Sequence, residues 1–219
     1  MPPRFHIRPV SSALDDGLRI INFVDSQLPF LARVGSEGQW GSDLLSGDAE
    51  KQEGYRKMVK CAESQHPWGE QWTRAFVAEV ELDRDTLPDE LHNLSRPTHA
   101  PGTSGSESYL LPVAAIVLED HAEDYVHEVL PKRNTDNPFV YVRFLVMDRR
   151  TGQLSKDAAT ALLDYAKAAA RSLNISRHCL DCWSGNDRKL VRYYEKHSFH
   201  LLGDVMHDDW PAAILECRI

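Results

Sequence analysis

The sequence predicts an α/β (α+β) fold, a mixed, mostly antiparallel central sheet of six to seven strands flanked by about four helices. Three observations carry this. Short runs rich in β-branched and aromatic residues, bounded by turn residues, recur along the chain as strands do. Segments near each end of the chain repeat apolar residues at helical spacing instead. Between Phe139 and Trp183 the pattern runs strand, helix, strand, which requires a crossover and one locally parallel pair. At 219 residues the chain fits a single domain over 1–219 with a full core.

In chain order, Phe5-His6-Ile7-Arg8-Pro9-Val10 alternates apolar and polar residues as a half-buried strand. Ser11 and Ser12 are placed to cap a helix, whose stripe Leu14, Leu18, Ile21 and Val24 runs to about Leu28, where Pro29 is expected to end it. A Gly-rich polar loop, Val34 to Ser42, leads to a polar helix from Asp48 to Glu63. Such a loop suits ligand contact, because rigid elements hold the groups that loops present. Arg74 to Leu82 and Tyr109 to Leu118 read as antiparallel strands, and the long connection from Asp83 to Ser108 as an exposed excursion. After an acidic connection, His121 to Asn137, come a strand Phe139–Met147, a helix Ser155–Ser172, a strand Arg177–Trp183 and a helix Asn186–His197. A strand near Phe199–Leu202 and a closing strand Ala212–Arg218 complete the order.

Composition narrows the function. The formal charge of -8 opposes a phosphate-backbone partner, so nucleic acid is not expected, and an acidic surface favours a cationic small molecule such as an amine. No stretch reaches the roughly 20 apolar residues of a membrane helix. The basic N-terminus lacks the apolar segment of a secretory signal, so a cytoplasmic protein without a membrane partner is expected. Cys61, Cys179, Cys182 and Cys217 are too scattered for a disulfide framework. Cys179 and Cys182 beside His178 do not make a zinc site, since residues three apart on a strand face opposite ways. His207-Asp208-Asp209 reads as a hairpin turn, not a metal site.

Two segments carry chemistry. In the first, the strand through Val146, Met147 and Asp148 feeds a polar turn that opens into a helix at Ser155-Lys156-Asp157-Ala158-Ala159. Unpaired amides and the positive end of the dipole suit a helix N-terminus to a diphosphate; an ordinary strand-to-helix turn reads the same way. In the second, Trp183-Ser184-Gly185-Asn186 turns into a helix bearing Leu190, Tyr193, Tyr194, Glu195 and Lys196, and the chain re-enters a strand at Phe199.

This second segment resembles the GNAT superfamily of acyl-CoA-dependent N-acyltransferases. Its members pass an Asn and carry a helix of the form A-x-x-x-Y-E-K-x-G-F; here Leu190 stands for the alanine and Ser198 for the glycine. The resemblance covers the whole chain in layout and about sixty residues in motif. It departs at the diphosphate loop, R/Q-x-x-G-x-G/A in the family, where Leu154 and Asp157 occupy the first two marked positions and only Ala159 fits.

The resemblance implies acetyl-CoA as co-substrate, no metal, and direct transfer of the acetyl group to a primary amine of a small molecule. It places the cofactor against Val146, Met147, Ser155, Lys156, Asp157, Ala158, Ala159, Asn186 and Tyr194, with charge from Lys156, Arg149 or Arg150. It makes Tyr194 the acid that protonates the departing thiolate, against the alternative of a core aromatic. Gln39 and Trp40 are placed at the acceptor, where an indole can receive a cation, or Trp40 is simply buried. Glu79, Glu81, Glu119, Asp120 and His121 all stand as bases. A noncatalytic acyl-CoA-binding module and a protein N-terminal or lysine acetyltransferase are the alternatives, and a homodimer is an open option.

Overall fold

The structure, a computed structural model, describes residues 5–64, 72–98, 107–132 and 136–219. Residues 1–4 and the part of the Asp83–Ser108 excursion at 99–106 lie outside the described residues, as does 133–135 of the second connection. Among the described residues, eight strands and four α-helices follow one another as β1 Phe5–Pro9, α1 Asp16–Arg33, α2 Ala49–Ser64, β2 Thr73–Asp83, β3 Arg96–Pro97, β4 Ser108–Glu119, β5 Phe139–Met147, α3 Ala158–Ser172, β6 Arg177–Trp183, α4 Gly185–Lys196, β7 His200–His207 and β8 Trp210–Arg218. Short 3-10 turns, including Asp124–Glu128 and Arg149–Ser155, lie between them. The sheet order is β1-β2-β4-β5-β6-β8-β7, with β3 added to β4. Among the described residues only β5 and β6 are parallel, joined by α3 as expected. No helix among the described residues is long and apolar enough to cross a membrane.

One face of the sheet packs on α3 and α4 through a core that includes Leu162, Leu163, Ala166, Val191 and Tyr194. The opposite face carries two separate clusters. Ile20, Phe23 and Val24 of α1 and Val59 of α2 cover β2 and β4, while Val126 and Leu130 cover Phe139, Tyr141, Cys179 and Ile214. Cys179 and Cys182 fall on opposite faces, as strand alternation requires.

Strand β5 is irregular partway along. Val117 pairs with Phe144 and Leu118 with Val142, which leaves Arg143 as an extra residue in a β-bulge. Before the bulge, Val140 and Val142 face α3 while Phe139 and Tyr141 face away. After it the parity is inverted, with Leu145 and Met147 on the α3 face and Phe144 and Val146 under α1 and α2. The parallel pairing of β5 with β6 also stops here, at Val142–Leu180.

Several local expectations are corrected. Pro29 does not end α1, which runs on to Arg33. Proline's fixed φ is helical and costs only the bond to the Asp25 carbonyl, while buried Leu28 and Leu31 hold the last turn. Ser11 and Ser12 do not cap α1; Ser12–Leu14 forms a 3-10 turn and Asp15, at φ 49°, precedes the helix. Strand β7 extends well past Leu202, and β8 begins at Trp210. Asp208 and Asp209 make the hairpin turn between them.

Glu79 is not a free base. With buried Asp16 it anchors an ion network: Arg8 donates to Asp16 at 2.5 and 3.0 Å and to Glu79 at 2.9 Å, Arg96 to Glu79 at 2.8 Å, and Arg19 to Asp16 at 3.0 Å. Burial of both carboxylates is balanced by three guanidinium groups, which ties β1, α1, β2 and β3 together. Glu81, on the same strand, meets His6 and Ser108.

Candidate active site

Where β5 and β6 part, a cleft of about 1490 Å³ opens on the face between the α1/α2 cluster and the Asp124–Glu128 turn. Its walls are Tyr141, Arg143, Phe144 and Leu145 of β5, Asp181, Cys182 and Trp183 of β6, Leu190 and Tyr194 of α4, and Tyr55, Met58 and Cys61 of α2. Glu119, Glu123, Tyr125, Trp210, Gln39 and Trp40 also line it.

Tyr194 sits in this wall with its ring against Phe199 and Tyr193. It is 6% exposed, so it is both the core aromatic and a cleft residue. Its phenol has no hydrogen-bond partner among the described residues, and burial holds its pKa well above that of free tyrosine, keeping the proton on. Gln39 and Trp40 line the cleft, Trp40 meeting Phe144 edge-on with ring centroids 6.5 Å apart.

The main chain of β5 decides which amides a ligand can use. Asp148 donates its N–H to Val113 of β4 at 2.7 Å, so alternation turns the Val146 N–H toward β4 as well. Val146 is therefore not a polarising amide. Leu145 and Met147 both turn their N–H away from β4; the Met147 carbonyl accepts from the Gln27 side chain of α1, a contact that does not use its N–H. Of these two open-edge amides, that of Leu145 belongs to a residue that lines the cleft.

At the expected diphosphate segment, Ser155 does not cap the helix. Its hydroxyl donates to the Gly152 carbonyl at 2.9 Å, and α3 starts at Ala158 after Asp157 in the left-handed region at φ 65°. The first bond inside the helix runs from Ala161 N–H to the Asp157 carbonyl at 3.0 Å, so Ala158, Ala159 and Thr160 present amides without helical partners. These donors fit a diphosphate. Of the three cations expected there, Arg150 is bound by Asp148 at 2.7 and 2.8 Å, and Arg149 stacks 3.3 Å from the centroid of Phe30. Exposed Lys156 remains, beside the exposed and opposing Asp157. None of Ser155 to Ala159 lines the cleft itself.

Asn186 opens α4 in an unusual way. With Asp187 and Arg188 it forms three successive left-handed residues, φ 50 to 57°. Its side chain donates to Ser36 at 2.6 Å and accepts from Lys189 at 3.0 Å, tying this turn to the loop after α1. The Trp183 indole folds back over Gly185, where an added Cβ would stand 2.2 Å from its ring, and lies 3.5 Å from the corresponding point at Gly38.

Electrostatics single out two carboxylates. Glu119 meets Arg143 at 3.4 Å and His121 at 3.6 Å; burial raises its pKa against the opposing effect of both. Asp120 is buried, with His121 at 3.1 Å. Asp181 follows Leu180, the last residue of β6 paired with β5, where the two strands part, and accepts hydrogen bonds from Tyr125 at 2.8 Å and from Tyr141. Burial raises its pKa, while the two phenols oppose the rise. Sequence reasoning missed Asp181, Tyr125, Tyr141, Arg143 and Trp183. The one available signal was a carboxylate inside the otherwise apolar run Cys179-Leu180-Asp181-Cys182. No group of three or more metal-ligating side chains occurs among the described residues.

No protein-family model matches the chain, and no curated protein does so significantly. Solved structures do. An acetyltransferase of the GNAT family from Listeria monocytogenes superposes with a TM-score of 0.58 at 14% identity, covering 98% of this chain and 95% of that one. The spermidine/spermine N-acetyltransferase SpeG from Vibrio cholerae gives 0.52 at 12% identity over 98% and 95%. FeeM, an N-acyl amino acid synthase from uncultured soil microbes, gives 0.53 at 14% over 99% and 91%.

Proposed function

From the GNAT fold as premise, we propose that the protein is an N-acyltransferase that moves an acetyl group from acetyl-CoA to a primary amine of a small molecule. The observation that carries this is the opening of the sheet at Val142–Leu180, with Tyr194 in its wall and unpaired α3 amides beyond it. When bound, acetyl-CoA supplies the activated thioester. The chain's residues supply the rest. Amides of Ala158 to Thr160 and Lys156 hold the diphosphate, and the Leu145 N–H faces the carbonyl oxygen, where negative charge develops. Tyr194, kept protonated by burial, gives its proton to the departing sulfur.

A cationic acceptor fits the other half of the cleft. Glu50, Glu53, Glu119, Glu123, Asp124 and Asp181 line it against Lys51, Lys57 and Arg143, and Arg143 is itself engaged by Glu119 and Glu123. The Trp40 indole adds an aromatic surface for an ammonium group. SpeG, a spermidine/spermine N-acetyltransferase, and FeeM, an N-acyl amino acid synthase, share the fold, which supports a small acceptor without selecting one.

The test is calorimetric titration with acetyl-CoA, then CoA release with spermidine, putrescine, tyramine, L-lysine and kanamycin. Turnover of at least one amine is expected, and Tyr194→Phe should lower kcat by about 100-fold or more with CoA affinity within twofold. Cofactor binding with no turnover of any of the five amines would favour the noncatalytic module.

A further inference from the structure

The transfer just proposed leaves one proton without an acceptor. An alkylammonium, pKa about 10, cannot attack a thioester until it loses a proton. We propose that the Asp181 carboxylate receives it, with Tyr125 and Tyr141 as positioning residues; this rests on the acyltransfer reading and adds the base that reading lacks.

Three observations point to Asp181. It stands one residue past the last β5–β6 pair, where the sheet opens and where Leu145 and Tyr194 also face the cleft. Both of its oxygens accept a phenolic hydrogen, Oδ2 from Tyr125 and Oδ1 from Tyr141. Two O–H donors fix the plane of the carboxylate and favour its ionised form, while each oxygen keeps a lone pair for an N–H. Its partners are also neutral. Among the described residues Asp181 has no ion pair, whereas Glu119 is held by Arg143 and His121, and Glu79 by Arg8 and Arg96. A buried carboxylate without its own cation can pair with an incoming ammonium.

The groups facing it are Tyr125 with Glu123 from the connection before β5, Tyr141 and Arg143 of β5, Cys182 of its own strand and Tyr194 of α4. His207 stacks on Tyr125 at 4.3 Å, behind the phenol.

The protons balance. R–NH3⁺ gives one proton to Asp181, and the free amine forms the C–N bond as the carbonyl π pair moves to oxygen. Collapse of that adduct breaks the C–S bond. Sulfur takes the Tyr194 proton, the second nitrogen proton restores Tyr194, and Asp181 returns its proton to water.

The experiment is a pH profile of kcat with acetyl-CoA and the fastest of the five panel amines. The wild type should show an acidic limb from a single group. Asp181→Asn should lower kcat about 100-fold or more and remove that limb, with acetyl-CoA affinity unchanged. Tyr125→Phe removes a hydrogen bond that stabilises the ionised carboxylate, so it should move the limb to higher pH while leaving most of the rate. A role confined to structure would lower the melting temperature and leave the limb in place. Folded Asp181→Asn with kcat within threefold of wild type and the same limb overturns the proposal. If Asp181→Asn does not fold, an unmoved limb in Tyr125→Phe does the same. Silence of the wild type toward all five amines instead removes the acyltransfer reading, and this inference with it.

Discussion

His178 gives the sharpest quantitative prediction. It is fully buried on β6, its ring 5.6 Å from Phe199, and neither ring nitrogen has a hydrogen-bond partner among the described residues. Burial, aided by the charge of Lys167, pushes its pKa down to about 3. In the unfolded chain the same group titrates near about 6.5. Between these values the unfolded state binds a proton that the folded state refuses, so stability falls as pH falls below 6.5, and the loss stops near 3. From pH 7 to pH 5 the cost is roughly 2 kcal/mol, most of it below pH 6.5. Urea unfolding of the wild type and of His178→Leu at both pH values measures it, since other titrating groups act alike in the two proteins. The wild type should lose about 2 kcal/mol more than the variant over this interval. Parallel losses within about 0.5 kcal/mol would refute the burial argument.

Three further outcomes follow from packing and charge. Gly185→Ala places a methyl 2.2 Å from the Trp183 ring and must evict the indole, at a cost of about 1–3 kcal/mol and a change in tryptophan fluorescence; an unchanged spectrum would contradict the contact. Asp16→Asn leaves Arg8 and Arg19 short of a buried partner and should destabilise by about 3 kcal/mol in thermal unfolding, with less than about 1 kcal/mol counting against a cooperative network. Trp40→Leu should raise the KM for the amine about 3- to 30-fold with little change in kcat, as loss of a cation–aromatic contact requires; a change confined to kcat would place Trp40 elsewhere in the reaction.

The order of elements was legible because hydrophobic period and turn residues act locally. Strand β5 was read with both ends correct, and the helix carrying Tyr194 within one residue. What escaped depends on partners far away in sequence. Pro29 looks like a terminator until Leu31 is seen to be buried, because tertiary packing outweighs one missing hydrogen bond. Glu79 and Asp181 are both acids on strands. One meets Arg8 and Arg96 and the other meets Tyr125 and Tyr141, and no local pattern distinguishes them. The start of α3 at Ala158 was hidden by Asp157, whose positive φ is a backbone state that its side chain does not announce.

Arg143 has a wider consequence. In a strand whose every other residue is apolar, one uncounted position falls between the part that packs under the Asp124–Glu128 turn and the part under α1 and α2, and the cleft lies at that change. Removing that residue would leave Phe144 and Val146 facing away from α3, in step with Phe139 and Tyr141, and would make the strand regular enough to keep following its neighbour. The location of the site is thus written in how many residues β5 contains, not in which ones. A property stored as a count survives wholesale replacement of side chains, in keeping with a shared architecture at 14% identity or less in the structures compared above.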